Sequence, residues 1–281
     1  MYSSFISRFP VFILFSLCFG ITAYSQGSGI SSPITIGEST EIRSNFLNET
    51  RKINLYLPEG YTQQNKDSYQ VIYLLDGSTN EDFLHICGLV QFFTMQMGMP
   101  KTIVAGISNV DRKRDFTFHT DDEKVIKEFP NTGHSAPFID FIEKELKPFI
   151  EKNYSKNKNK ILIGQSLGGL LASEIFLKKP TMFSEFIIVS PSIWWDNESL
   201  LKGAPDALRG HLDHKTKVSV LVGKEGKQME ENARDLALTV KAGRNKKVQV
   251  DFIPMPQEDH ATILHNAVYE VFKKSYFKKT K

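Results

Sequence analysis

Cysteine is scarce: two in 281 residues, Cys18 and Cys87. No Cys-x-x-Cys pair is available to clamp an ion, and no H-E-x-x-H pattern sets two imidazoles on one helix face. A Gly-x-Gly-x-x-Gly turn after a strand and a P-loop are also missing, which removes the common dinucleotide and nucleoside-triphosphate cradles. Excess charge is missing too. The net charge is +3 with the lysines scattered, too little to argue for nucleic acid, and the basic tail "KKSYFKKTK" reads as a solvated end. Neither a metal nor a cofactor is called for. Any chemistry must come from ordinary side chains.

Long apolar runs are absent except at the start. "FPVFILFSLCFGITA" follows Arg8, the single charge among the first 25 residues, and Ala23-Tyr24-Ser25 carries small residues at both positions that a signal-peptidase site needs. The run is short for a bilayer span. Residues 1–25 therefore read as a secretory signal, 26–38 as a flexible lead-in and 39–281 as one catalytic domain, periplasmic or secreted, with no stable membrane anchor. Lipid modification of Cys18 is disfavoured by the bulk of Leu17 before it. Cleavage would leave Cys87 alone in an apolar helical stretch, as buried filler with no partner for a disulfide.

What is present is an alternation of β and α signals. "STEIRSNFL" and "TRKINLYLP" alternate apolar and polar residues around Asn48-Glu49, an antiparallel hairpin. "YQVIYLLDG", "KTIVAGISN", "KILIG", "EFIIVS" and "KVSVLVG" are apolar throughout, as strands buried on both faces are, and "VQVDFIPM" is the last strand. Between them lie helical stretches near 80–97, 135–154 and 167–179 and one that carries Met229, Ala233, Leu236 and Val240 on one face, with Ser135 as a candidate N-cap of the second and Gly243 ending the last, and a final helix starts near Ile263. A long polar connection spans 109–133, and connections of that length tend to be functional. The pattern is an α/β fold: a mostly parallel central sheet with an antiparallel N-terminal edge and helices on both faces. In such sheets the working site lies at the carboxyl ends of the strands.

One strand end stands out. "ILIG" runs into Gly164-Gln165-Ser166-Leu167-Gly168, and a helix follows at once. A serine on a sharp strand-to-helix turn holds its hydroxyl proud of the sheet, and glycines two before and two after relieve the crowding. Chance alone would place G-x-S-x-G in roughly one chain in ten of this length, so the flanking strand and helix carry the inference. A hydroxyl needs a base. His260 sits in "PQEDHATI" after the last strand, and Glu225 follows "VSVLVG" in time to orient it. Nucleophile, acid and histidine then fall in the required chain order. Asp196, after "EFIIVS", is the alternative acid, and Asp259 is too close to His260 in sequence. Of the other histidines, His119 and His134 flank the long connection and are candidate substrate contacts, His85 and His265 lie on helices, and His211 and His214 fall in a polar region. Leu167 N–H and Ser78 N–H, the latter after "VIYLLDG", are the expected oxyanion donors, with Gly77 second to Ser78.

"VIYLLDG", "GQSLGG", "SPSIWW" and the Asp-His after the last strand resemble the esterase family of α/β-hydrolases that includes feruloyl esterases, esterase D-type enzymes and siderophore esterases. The resemblance covers about 40–275. "SPSIWWDNESL" and "DRKRDFTF" are similar to segments of trilactone siderophore esterases, with Arg112, Asp115, Phe116 and Thr117 matching and Phe118 standing where those enzymes have proline. The resemblance implies an α/β-hydrolase fold, catalysis by Ser166 and His260 with a role for Glu225 that is reduced in some members, and a substrate site touched by Arg112, Trp194 and Trp195. The expected function is hydrolysis of carboxylic esters through an acyl-enzyme on a small-molecule substrate, a trilactone siderophore of the enterobactin or bacillibactin type. Feruloyl or acetyl carbohydrate esters, acyl transfer, and an inactive binding protein on a hydrolase scaffold are the alternatives.

Overall fold

The computed structural model describes residues 31–207 and 214–277. The segment read as a signal, residues 26–30 of the lead-in, Cys18 and His211 lie outside the described residues. From Thr35 onward the described chain makes one compact unit.

Among the described residues eight strands form one sheet: β1 (Gly37–Ser44), β2 (Glu49–Tyr56), β3 (Gln70–Leu74), β4 (Thr102–Ile107), β5 (Lys160–Gln165), β6 (Glu185–Val189), β7 (Thr216–Gly223) and β8 (Val248–Met255). Their order across the sheet is β1-β2-β4-β3-β5-β6-β7-β8. β2 pairs antiparallel with β1 and with β4, and every other pairing is parallel. The expected edge hairpin is present. The parallel strands are joined by α1 (Phe83–Gln96), then α2 (Arg112–Phe116) and α3 (Glu123–Glu128) inside the long connection, α4 (Ser135–Phe141), α5 (Lys147–Asn153), α6 (Leu167–Lys178), α7 (Ser199–Ala207) and α8 (Lys227–Ala242), and α9 (Ile263–Tyr276) follows the last strand.

The period of two along each strand splits the core. On β3, Val71 and Tyr73 face the layer with Phe138, Leu170 and Phe176, while Ile72 and Leu74 face Phe83, Val90, Val268 and Phe272. α1 and α9 thus cover one face together, with the Phe93 ring edge-on to Tyr269 at 5.2 Å and to Phe272 at 5.5 Å. Cys87 is buried in this second layer, as expected of filler.

Three local expectations shift. The stretch 135–154 is two helices joined by a wider π turn at Ile142–Leu146. Ser135 is the first helical residue, with His134 before it as the cap. α8 reaches Gly243 in right-handed backbone, and Arg244 takes the left-handed turn at φ +50°.

Candidate active site

The carboxyl ends of β5, β6, β7 and β8 open on one cavity of about 660 Å³. Ser166, Ser192, Trp194, Lys224, Glu225, Met229, Asp259, His260 and Ala261 line it. Ser166, Glu225 and His260, the three residues expected to be catalytic, are therefore brought to one place from three separate strand ends.

Ser166 sits between β5 and α6 at φ +59° and ψ −120°. That backbone is costly for a side-chain-bearing residue, on the order of 1–3 kcal/mol, and persists because the surroundings fix it. Gly164 shows what does the fixing: a Cβ there would run into the Gly168 carbonyl. On the other side, a Cβ on Gly169 would come within 2.9 Å of Pro191 Cα and the Val189 carbonyl oxygen. Leu167 opens α6, so its N–H is the first of the helix amides that have no acceptor inside the helix. Ser166 Oγ rests 3.4 Å from Ser192 Oγ, and Ser192 N–H donates to the Ser166 carbonyl at 3.1 Å.

His260 Nδ1 faces Glu225 Oε2 at 2.5 Å, and the Glu225 side chain is only 3% exposed. The other carboxylate oxygen accepts from the Ser190 hydroxyl and, at 3.0 Å, from Gly223 N–H. Burial pushes the Glu225 carboxyl up. The hydrogen bonds from His260, Ser190 and Gly223 outweigh that and hold it below its ordinary value. Gln165 Nε2 donates to the His260 carbonyl at 2.5 Å, tying the histidine loop to the residue before Ser166. Asp196, the alternative acid, accepts instead from Thr120 Oγ1 at 2.6 Å and from Ser199 Oγ at 2.5 Å. It begins three consecutive left-handed residues, Asp196, Asn197 and Glu198. Asp259 is turned to its own loop, accepting from Ala261 N–H at 2.9 Å and Thr262 N–H at 3.0 Å.

The remaining expectations divide. Trp194 is partly buried and lines the cavity. Trp195 does not: it is 1% exposed, and its indole N–H donates to the Phe118 carbonyl at 2.9 Å, so it belongs to the core. Adjacent residues at the start of a helical turn point in different directions, and one of the pair had to face inward. Arg112 is also off the cavity wall. Its guanidinium binds Asp76 through Nε to Oδ1 at 2.6 Å and Nη2 to Oδ2 at 2.9 Å, and Nη2 reaches the Gln165 carbonyl at 3.3 Å. Burial alone would lower the Arg112 pKa, and the Asp76 carboxylate more than offsets it. The arginine thus braces the loop after β3 against the turn that carries Ser166. Ser78 N–H donates to Glu81 Oε2 at 3.3 Å, and Gly77 N–H is taken by the Ile107 carbonyl at 2.9 Å. His119 faces Asp121 at 3.0 Å, and His134 Nδ1 lies 3.1 Å from the Thr132 carbonyl.

Sequence reasoning missed Asp76, Gln165, Ser190, Ser192, Lys224 and Met229. Asp76 carried a signal, a charge ending an apolar strand, yet it reads equally well as half of an Asp-Gly turn. Lys224, just after β7, and Met229, in the first turn of α8, are joined to the site only by the fold, which sets them on the same cavity as Ser166.

A family model described as Putative esterase matches residues 44–273. The ferri-bacillibactin esterase BesA of Bacillus subtilis is 28% identical over 267 residues, covering 86% of this chain and 91% of that protein. Among solved structures, the BES protein from Bacillus cereus aligns with a TM-score of 0.78 at 26% identity, covering 89% of this chain and 99% of that one. An IroE-like serine hydrolase from Shewanella oneidensis aligns with a TM-score of 0.75 at 27% identity, covering 85% and 80%.

Proposed function

Since the chain belongs to the Putative esterase family, with the α/β-hydrolase fold and carboxylic-ester hydrolysis that go with it, we propose that it cleaves a trilactone siderophore through an acyl-enzyme on Ser166. The observation that carries the mechanism is the shared cavity: a strained serine and an imidazole already held by a buried carboxylate. In the resting state the Ser166 hydroxyl leans on Ser192. Attack requires it to turn to His260 Nε2, and catalytic hydrogen bonds often tighten only once substrate is bound. His260 takes the proton, and the Ser166 oxygen adds to the lactone carbonyl. Leu167 N–H and Ser78 N–H receive the oxyanion, the latter by leaving Glu81. The ring alkoxide departs with the proton from His260. Water, deprotonated by the same imidazole, then releases the acid. Glu225 holds the ring tautomer and steadies the imidazolium throughout.

The substrate reading rests on the name of the Bacillus subtilis relative and on the wall of the cavity. Trp194 and Met229 offer flat and polarizable surface to aromatic acyl arms, and the exposed Lys224 offers a cation to anionic catecholates. The apolar run after Arg8 supports export, which places the enzyme in the periplasm or outside the cell. Among the described residues no helix is long and apolar enough to cross a membrane.

The test is hydrolysis of enterobactin, bacillibactin, methyl ferulate and acetylated xylan by wild type and Ser166→Ala. The trilactones are expected to be cleaved fastest, and the variant to lose about a thousandfold or more in kcat, since serine and histidine act as a unit. Faster turnover of ferulate or xylan would replace the substrate. Equal rates for the two proteins would remove the nucleophile.

A further inference from the structure

Outside the cavity, two imidazoles from distant parts of the chain meet. His85 lies in the first turn of α1 and His265 in the first turn of α9. Their Nδ1 atoms are 3.4 Å apart, with ring centroids 5.6 Å apart and planes inclined by 32°. The two helices are packed through Phe93, Tyr269 and Phe272, so the scaffold fixes the spacing of the rings. His85 is about a third exposed at its side chain and His265 is exposed, so both are open to solvent.

His85 Nε2 is 3.2 Å from Asp82 Oδ1, one turn back. A carboxylate only accepts, so this imidazole carries its proton on Nε2 and leaves Nδ1 bare. Metal-binding histidines are oriented in the same way, by a carboxylate on the nitrogen that does not bind. Two nitrogens held at 2.0–2.1 Å by one tetrahedral ion lie roughly 3.3–3.4 Å apart. The spacing in this protein is 3.4 Å.

We propose that His85 and His265 form a two-imidazole site for a zinc, copper or nickel ion, oriented by Asp82. Imidazole suits these cations, whereas magnesium and calcium prefer oxygen. Among the described residues no group of three or more His, Cys, Asp or Glu is arranged to hold an ion, so water completes the coordination shell. Without the ion, His265 supplies the Nδ1–H between the rings. On binding, that proton moves to its exposed Nε2, and neither imidazole changes charge. The ion has no part in ester cleavage. Its place gives it a structural reach: α1 begins after the loop of Asp76 and Ser78, where Asp82 N–H donates to the Asp76 carbonyl at 3.1 Å, and α9 begins after the loop of His260. A bound ion ties together the starts of the helices that follow both loops.

The test is calorimetric titration of tag-free protein with nickel and with zinc near neutral pH, read together with the melting temperature. Wild type is expected to bind one ion per chain and to melt higher with it. His85→Ala and His265→Ala should each weaken binding about tenfold or more and abolish the rise, while Asp82→Asn weakens it by a smaller factor. Circular dichroism and metal-free melting of each variant separate loss of the site from loss of the fold. Absence of binding by wild type at millimolar metal would overturn the proposal. So would one-to-one binding that survives both histidine substitutions, or that disappears only in His260→Ala.

Discussion

The Glu225 carboxylate divides its oxygens, one for the His260 imidazole and one for the Ser190 hydroxyl and the Gly223 amide. Its pKa in the folded protein lies below the ordinary 4.5. A depressed acid stabilises the fold fully above its unfolded value, and that contribution is lost as pH falls through the folded value. Glu225→Gln should therefore be less stable than wild type at neutral pH by a constant margin, and urea midpoints should converge below about pH 4.5. Its kcat should drop by about a hundredfold to ten-thousandfold, because the amide no longer fixes the tautomer. If kcat stays within a few-fold, a serine–histidine pair suffices. At this scale the sequence was informative where a residue's place followed from the strand before it, as for Ser166, Glu225 and His260. It was silent where direction mattered. Nothing in "SIWWD" distinguishes the tryptophan that faces the cavity from the one that faces the core.

The turn from β5 into α6 is built to a tolerance smaller than a methyl group. Gly164→Ala would force the strand end away from the Gly168 backbone, and overpacking of that kind costs about 1–3 kcal/mol. The variant should melt lower, and a fluorophosphonate probe should label it far more slowly than wild type, because the displaced turn no longer presents Ser166. Unchanged labelling would mean that the turn has slack. The elements themselves were largely legible, since buried parallel strands are apolar runs and helices have their own period. The misreadings share one cause, which is that local rules were outvoted by packing. The stripe of Ile139, Ile142, Leu146 and Phe149 reads as one helix, but the chain inserts a π turn at Ile142–Leu146. Gly243 looks like the left-handed terminator of α8, while Arg244 adopts that conformation.

Across the whole molecule, the site depends on contacts that no local pattern announces. Arg112, in the connection after β4, joins Asp76 at the end of β3 to the Gln165 carbonyl at the end of β5. The Asp76 side chain is 9% exposed and that of Arg112 is 34% exposed. Arg112→Ala leaves a largely buried carboxylate without its counter-ion and with the Asn109 amide, 2.6 Å from Oδ1, as its remaining side-chain donor, a loss of about 2–3 kcal/mol, toward the lower end for such pairs because the arginine is partly solvated and the amide stays. Urea unfolding should show that loss, and kcat should fall with KM little changed, since the arginine braces the turn rather than the wall of the cavity. A rise in KM alone would return Arg112 to substrate contact. The mostly parallel sheet, its antiparallel edge and the helices on both faces followed from the alternation of elements, but the order of the strands and the reach of Arg112 across 36 residues to Asp76 did not. The two tryptophans, the only ones in the chain, give the molecule two optical reporters a residue apart. Trp195, sealed in the core, should emit in the blue and resist iodide until the protein unfolds. Trp194, partly buried on the cavity wall, should be quenched more than Trp195 and become shielded when a ligand enters. Trp194→Phe should then erase the occupancy signal and leave the unfolding signal intact, so that one spectrum follows both events in the same cuvette.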